Sequence, residues 1–125
     1  MNRLEITTDG SEAWVRPGDQ LTGTATWELE DDVDALEIRL FWYTSGKGSR
    51  DVGIVDARRI ESVERHGSRA FSFQIPDGPF SFTGKLITLS WAIELVALPS
   101  EDSGRLDILV GPQPVEVDLR TTIER

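Results

Sequence analysis

The sequence contains no cysteine, only one histidine, and no apolar run of the roughly 18 residues that a membrane helix requires. The lack of cysteine excludes disulfides and zinc sites built from thiolates. No segment shows helical periodicity, and the N-terminus lacks a signal-peptide pattern. We therefore expect a soluble, cytoplasmic protein without a membrane-inserted segment.

Basic residues are also scarce. Thirteen Lys and Arg residues stand against 22 Asp and Glu residues, which gives a net charge of −9 at pH 7. Proteins that bind nucleic acid need a basic surface that displaces counterions from phosphates. No window concentrates positive charge beyond Arg58 and Arg59, so we expect neither nucleic acid nor an anionic membrane surface as a partner.

The abundant signal is an alternation of apolar and polar residues with a period of two, which is typical of half-buried strands. It is clearest at 71–75 and at 87–95, on either side of the turn residues Pro76 to Pro79. The pattern predicts strands at 4–8, 21–29, 36–43, 54–65, 71–75, 87–95, 106–110 and 115–119. About eight strands and no helix predict an all-β fold, an antiparallel two-sheet β-sandwich forming one domain over residues 1–125.

The alternation also assigns the large side chains. Trp27, Trp42 and Trp91 lie in phase with apolar faces, so we expect them in the core. Trp14 lies outside a clean alternation and is expected to cover a sheet end. Residues 54–65 alternate poorly and carry several charges, which is typical of an edge strand. His66-Gly67-Ser68 is expected to form the turn before the next strand.

Two stretches together resemble the arrestin family, whose bacterial members include sporulation-control proteins. The first is Val15-Arg16-Pro17-Gly18-Asp19-Gln20-Leu21-Thr22-Gly23, and the second runs from Phe71 through the proline turn into the long apolar strand. The resemblance covers most of residues 4–119. It implies one arrestin-like, immunoglobulin-like lobe that recognises proteins as a scaffold or adaptor, without enzymatic activity. Functions that need two lobes are not implied for a single lobe.

Few residues in this sequence form a pattern that is typical of a catalytic site. His66 is the only histidine, and nothing in its spacing predicts a nucleophile beside it and a carboxylate behind it. Gly46-Lys47-Gly48-Ser49 lacks the first glycine of a phosphate-binding loop and the helix that follows one. We therefore predict no catalytic residues, no cofactor and no enzyme.

An acidic segment is the best candidate for a metal site. Its carboxylates are Glu28, Glu30, Asp31, Asp32 and Asp34. Calcium takes six to eight oxygen ligands, which such a loop can supply, but the glycine-containing calcium-loop pattern is absent. A solvated acidic loop is the alternative interpretation. A calcium- or carbohydrate-binding sandwich is thus the alternative function.

The binding patch predicted from the sequence comprises Phe41, Tyr43, Lys47, Arg50 and Asp51. Phe41 and Tyr43 occupy positions that point away from the core, and aromatic residues with arginine are enriched in interface hot spots. The alternative is that Phe41 packs under the neighbouring loop. We expect a protein partner, either another protein or a second copy joined through the sheet edge at 54–65.

Overall fold

The computed structural model describes residues 2–9, 14–46, 51–83, 87–111 and 117–118. Ten strands and no helix occur in these ranges. They are β1 (Arg3–Thr8), β2 (Trp14–Val15), β3 (Gln20–Glu28), β4 (Ala35–Gly46), β5 (Val52–Ile60), β6 (His66–Gln74), β7 (Phe82–Thr83), β8 (Ile87–Leu98), β9 (Ser103–Val110) and β10 (Val117–Asp118). A membrane-spanning helix is accordingly not found in the part of the chain that the structure describes.

The strands form two sheets. The smaller has the order β1-β3-β6, and the larger has the order β10-β7-β8-β4-β5, with β9 also paired to β8 and β2 to β9. The long ladders are antiparallel, which confirms the predicted sandwich. Two pairings of two residues each, β2 with β9 and β10 with β7, are parallel and were not predicted.

The core lies between the sheets because each long strand turns alternate side chains inward. On β4 the inward residues are Leu36, Ile38 and Leu40, each 0–1% exposed. The other large, fully buried side chains are Trp91, Phe73, Ile75, Ile93, Leu95, Val96 and Val110.

The tryptophans follow the predicted pattern. Trp27 and Trp91 are buried, and Trp42 is half-buried against the core. Trp14 pairs with Leu109 at the end of β9, and its indole N–H donates to the Gly111 carbonyl at 3.1 Å.

The two stretches that resemble the arrestin family meet in the structure. The Asp19 N–H donates to the Arg16 carbonyl, and Gly18 between them has φ of 88°, as a type II Pro-Gly turn requires. The Gly18 N–H donates to the Ile75 carbonyl, and the Ile75 N–H donates to the Asp19 carbonyl, both at 2.9 Å. The Pro-Gly turn is therefore held against the end of β6, beside the proline turn that follows it.

Several predicted boundaries are wrong. The strand expected at 54–65 is β5, which begins at Val52 and ends at Ile60. His66-Gly67-Ser68 is not a turn but the start of β6, paired with residues 26–28 of β3. The predicted strand at 115–119 lies outside the described residues except for β10.

Candidate functional site

The outer face of the larger sheet carries the two predicted aromatic residues. Phe41 and Tyr43 lie on β4, out of phase with its inward residues, and their ring centroids are 6.0 Å apart. Phe41 is only 9% exposed, although it lies outside the main core cluster, and Tyr43 is half-buried. Tyr43 therefore presents more surface to a partner than Phe41 does.

β5 continues this aromatic surface to the edge of the sheet. Its register places Ile54 opposite Phe41 and Val52 opposite Tyr43, so these side chains share the outer face. Val52 and Ile54 are each 63% exposed, and the adjacent Val55 is 37% exposed. Exposed apolar side chains that cluster, in contrast to scattered ones, mark interaction surfaces. We call Phe41, Tyr43, Val52, Ile54 and Val55 the outer patch.

A groove of about 380 Å³ opens beside the outer patch. Its walls are formed by Phe41, Tyr43, Thr44, Ser45, Val52 and Arg105. The Arg105 guanidinium lies 5.2 Å from the centroid of the Tyr43 ring and 3.3 Å from the Asp107 carboxylate. The lining of the groove thus combines two aromatic rings with a guanidinium and the hydroxyls of Tyr43, Thr44 and Ser45, which suits an apolar side chain with a polar end.

Next along β5, a charged pair brackets Ala57. Asp56 Oδ1 accepts the Ala57 N–H at 2.8 Å and an Arg58 Nη1 hydrogen bond at 2.6 Å, while Arg58 Nη1 also donates to the Ala57 carbonyl at 3.2 Å. The Arg58 hydrogen bond holds the pKa of Asp56 below its ordinary value, reinforced by the Ala57 N–H and opposed by partial burial. We call this arrangement the Ala57 clamp.

Of the other three predicted patch residues, the structure describes only Asp51. Lys47 and Arg50 lie outside the described residues. Asp51 is exposed and helps to close the β4–β5 hairpin, since its N–H donates to Thr44 Oγ1 and its carbonyl accepts the Thr44 N–H. The predicted patch left out Val52, Ile54 and Arg105, although Ile54 begins the sheet edge at 54–65 that was predicted to join a second copy. The Val-Gly-Ile alternation was the available signal for the first two.

The acidic segment does not assemble into a metal site. Asp32 lies 3.0 Å from Arg65, and Glu28 faces Arg3 and His66 at 3.9 Å each. Within the described ranges, which include all of 28–34, no group of three His, Asp or Glu side chains is placed to hold a metal ion. Glu28 and Asp32 are instead exposed partners of basic side chains.

His66 lies in a polar environment at the edge of the smaller sheet. Its side chain is 77% exposed and faces Glu28. It also lines a groove of about 260 Å³ with Trp27 and Glu64, whose carbonyl accepts the Trp27 indole N–H at 2.9 Å. Among the residues that the structure describes, His66 has a carboxylate neighbour, but no hydroxyl forms a hydrogen bond with it.

No protein-family model and no curated protein matches the sequence. Among solved structures, Spo0M, a sporulation control protein from Bacillus subtilis, is similar with a TM-score of 0.61 and 16% identity, over 90% of this chain and 50% of that chain. This chain spans about half the length of the Spo0M chain.

Weaker matches include a β-glucosidase from Listeria innocua (TM-score 0.47, 14% identity, 93% of this chain and 16% of that chain). A superoxide reductase from Ignicoccus hospitalis also matches (TM-score 0.47, 12% identity, 86% and 79%). The similarity to Spo0M confirms the arrestin-like fold, and at this identity it shows the fold alone.

Proposed function

We propose that this chain is a non-enzymatic protein-interaction module that binds another protein through the outer patch. The observation that supports this proposal is the placement of exposed apolar residues. Among the described residues, the large hydrophobic side chains with the highest exposure are Val52 and Ile54. Val52 lines the aromatic groove, and Ile54 lies opposite Phe41, which also lines it. Burying such side chains against a partner yields about 25 cal/mol per Å² of apolar surface.

The absence of a built catalytic arrangement around His66 supports the non-enzymatic part of the proposal. A nucleophile needs a base within hydrogen-bonding reach and a third group that orients the base. In the described part of the chain, His66 is a solvent-exposed side chain with one carboxylate at 3.9 Å. The similarity to Spo0M, a sporulation control protein, is compatible with a regulatory setting.

The test is partner capture with matched charge variants. The tagged wild-type chain and Ile54→Lys are compared in pull-downs from a native lysate, followed by reconstitution with the purified partner. Thr26→Lys is the control, because Thr26 is exposed on the outer face of the other sheet and faces Glu5 across the β1–β3 ladder. We expect Ile54→Lys to lose the partner and Thr26→Lys to retain it. Equal retention by both variants would contradict the proposal.

A further inference from the structure

The two halves of β5 present different backbone edges. β5 pairs with β4 on one side and, within the described residues, with no strand on the other. Hydrogen bonds with Thr44 direct the N–H and the carbonyl of Asp51 toward β4. Because backbone groups alternate in an antiparallel ladder, Gly53 also faces β4, whereas Val52 and Ile54 direct theirs to the open edge.

Beyond Ile54 the edge is blocked at Ala57. A register shift opposite Leu40 and Phe41 adds one residue to β5. The next residue in register whose backbone groups point to the open edge is therefore Ala57, opposite Arg39. The N–H and the carbonyl of Ala57 are both taken by the clamp, at 2.8 and 3.2 Å. Side-chain hydrogen bonds of this kind compete with strand pairing, and charged residues at an edge discourage it.

We infer that β5 is a strand-addition site of limited length, on which an extended segment of another protein pairs with Val52 and Ile54 and stops at the Ala57 clamp. This inference rests on the proposed function and specifies how the partner binds. Residues of an added strand that lie opposite Val52 and Ile54 direct their side chains to the same outer face. The segment therefore carries β-branched or aromatic residues at every second position, adjacent to the outer patch.

The size of the open edge favours a different protein over a second copy. Stable dimers bury about 800 Å² on each partner, contributed by roughly 20–30 residues. The open part of β5 offers two pairing residues and three exposed apolar side chains. The net charge of −9 on each copy adds repulsion. A short extended segment needs a smaller area and suits reversible recognition.

The probe is a capped peptide that alternates valine with threonine and has lysine at both ends, titrated into uniformly ¹⁵N-labelled protein. We expect chemical-shift changes and slowed hydrogen exchange at the amides of Val52 and Ile54, with Ala57 unaffected. The control peptide is N-methylated on its valines, so it keeps the apolar side chains but cannot donate the pairing hydrogen bonds. It is expected to bind at least tenfold more weakly.

The clamp is tested with Asp56→Ala, which frees the Ala57 N–H, against Arg59→Ala, whose partner Glu61 is not part of the clamp. In Asp56→Ala we expect the peptide also to perturb Ala57 and to bind about tenfold tighter, as one or two additional hydrogen bonds allow. Arg59→Ala should behave as wild type. Native-like spectra of both variants establish that they are folded.

Three results would overturn the inference. The first is equal binding of the N-methylated peptide, which would leave the proposed function intact if Ile54→Lys still loses the captured protein. The second is no binding of the unmodified peptide. The third is a doubled mass in light scattering that Ile54→Lys abolishes, which would make a second copy the occupant.

Discussion

Gly53 lies between two residues of the outer patch and packs against the ring of Trp42, so replacing it tests how tightly β5 packs against β4. It lies opposite Trp42 in the β4–β5 ladder, on the inner side of the strand between Val52 and Ile54. A Cβ atom built at Gly53 would lie 2.3 Å from Cε2 and 2.4 Å from Cζ2 of the Trp42 indole. Ordinary carbon–carbon contacts are about 3.5–4.0 Å, so the ring must move by more than an ångström.

The expected size of the effect follows from two opposing terms. Overpacking a well-packed site costs typically about 1–3 kcal/mol. Replacing Gly by Ala also lowers the entropy of the unfolded chain, which returns about 0.4–1 kcal/mol. We therefore expect Gly53→Ala to lower the free energy of unfolding by about 1–2 kcal/mol.

Urea denaturation followed by far-UV circular dichroism measures this change without relying on tryptophan fluorescence. Gly78→Ala is the control, because a Cβ at Gly78 has no atom within 4 Å. In a Trp42→Leu background, Gly53→Ala should lower the free energy of unfolding much less than it does in the wild type, since the smaller side chain leaves room for the methyl group. An unfolding free energy for Gly53→Ala equal to that of Gly78→Ala, or an additive double mutant, would refute the steric argument.

Three further predictions concern the rest of the fold. Trp91 is fully buried and its indole N–H donates to the Pro79 carbonyl at 2.8 Å, so Trp91→Ala should lower the free energy of unfolding by about 3–5 kcal/mol in urea denaturation. Because the pKa of Asp56 is lowered in the folded state, its stabilising contribution is present above its unfolded pKa of about 3.9 and is lost as the pH falls through the folded value. Asp56→Asn should therefore flatten the acid side of the stability profile measured by thermal denaturation. Ser62 has φ of 54°, so Ser62→Gly should raise the free energy of unfolding measured in urea by about 0.5–1 kcal/mol, because relief of left-handed strain exceeds the entropy that glycine adds to the unfolded chain.

The sandwich could be predicted because its long strands are half-buried. Leu36, Ile38 and Leu40 alternate with polar residues, and the same alternation places their side chains between the sheets. The Pro17-Gly18 turn could also be predicted, since proline presets one φ value and glycine supplies the positive one. Local chemistry and burial point to the same structure in these segments.

Residues 66–68 could not be assigned from local chemistry. His, Gly and Ser are typical of turns, yet they extend β6 because Gly67 lies opposite Trp27. A Cβ at Gly67 would lie 2.6 Å from the Trp27 ring, so the glycine leaves the space in which the indole packs. A contact across 40 residues of sequence therefore overrides the turn propensity.

The sequence predicted the site residues that lie on one strand, β4, but not those that other strands bring next to it. The outward positions of Phe41 and Tyr43 follow from the period of β4. Arg105 reaches Tyr43 from β9, and no local pattern relates residues so distant in sequence. Val52 was missed because the predicted strand was placed at 54–65, two residues too late. Ile54 was placed in that strand, but its poor alternation gave no sign that its side chain shares a face with Phe41.

The irregular alternation of β5 and the division of its edge have one physical origin. The register shift places Ile54 opposite Phe41 but Asp56 opposite Leu40, so one residue is extra on β5. If the strand alternated strictly after Ile54, the side chains of Asp56 and Arg58 would lie on the same face as that of Ile54. The backbone groups of Ala57 would then point toward β4. The extra residue reverses this phase, which turns Ala57 to the open edge with a charged side chain on each side of it. The extra residue that obscures the strand in the sequence is therefore also what places the blocked Ala57 next to the open residues Val52 and Ile54.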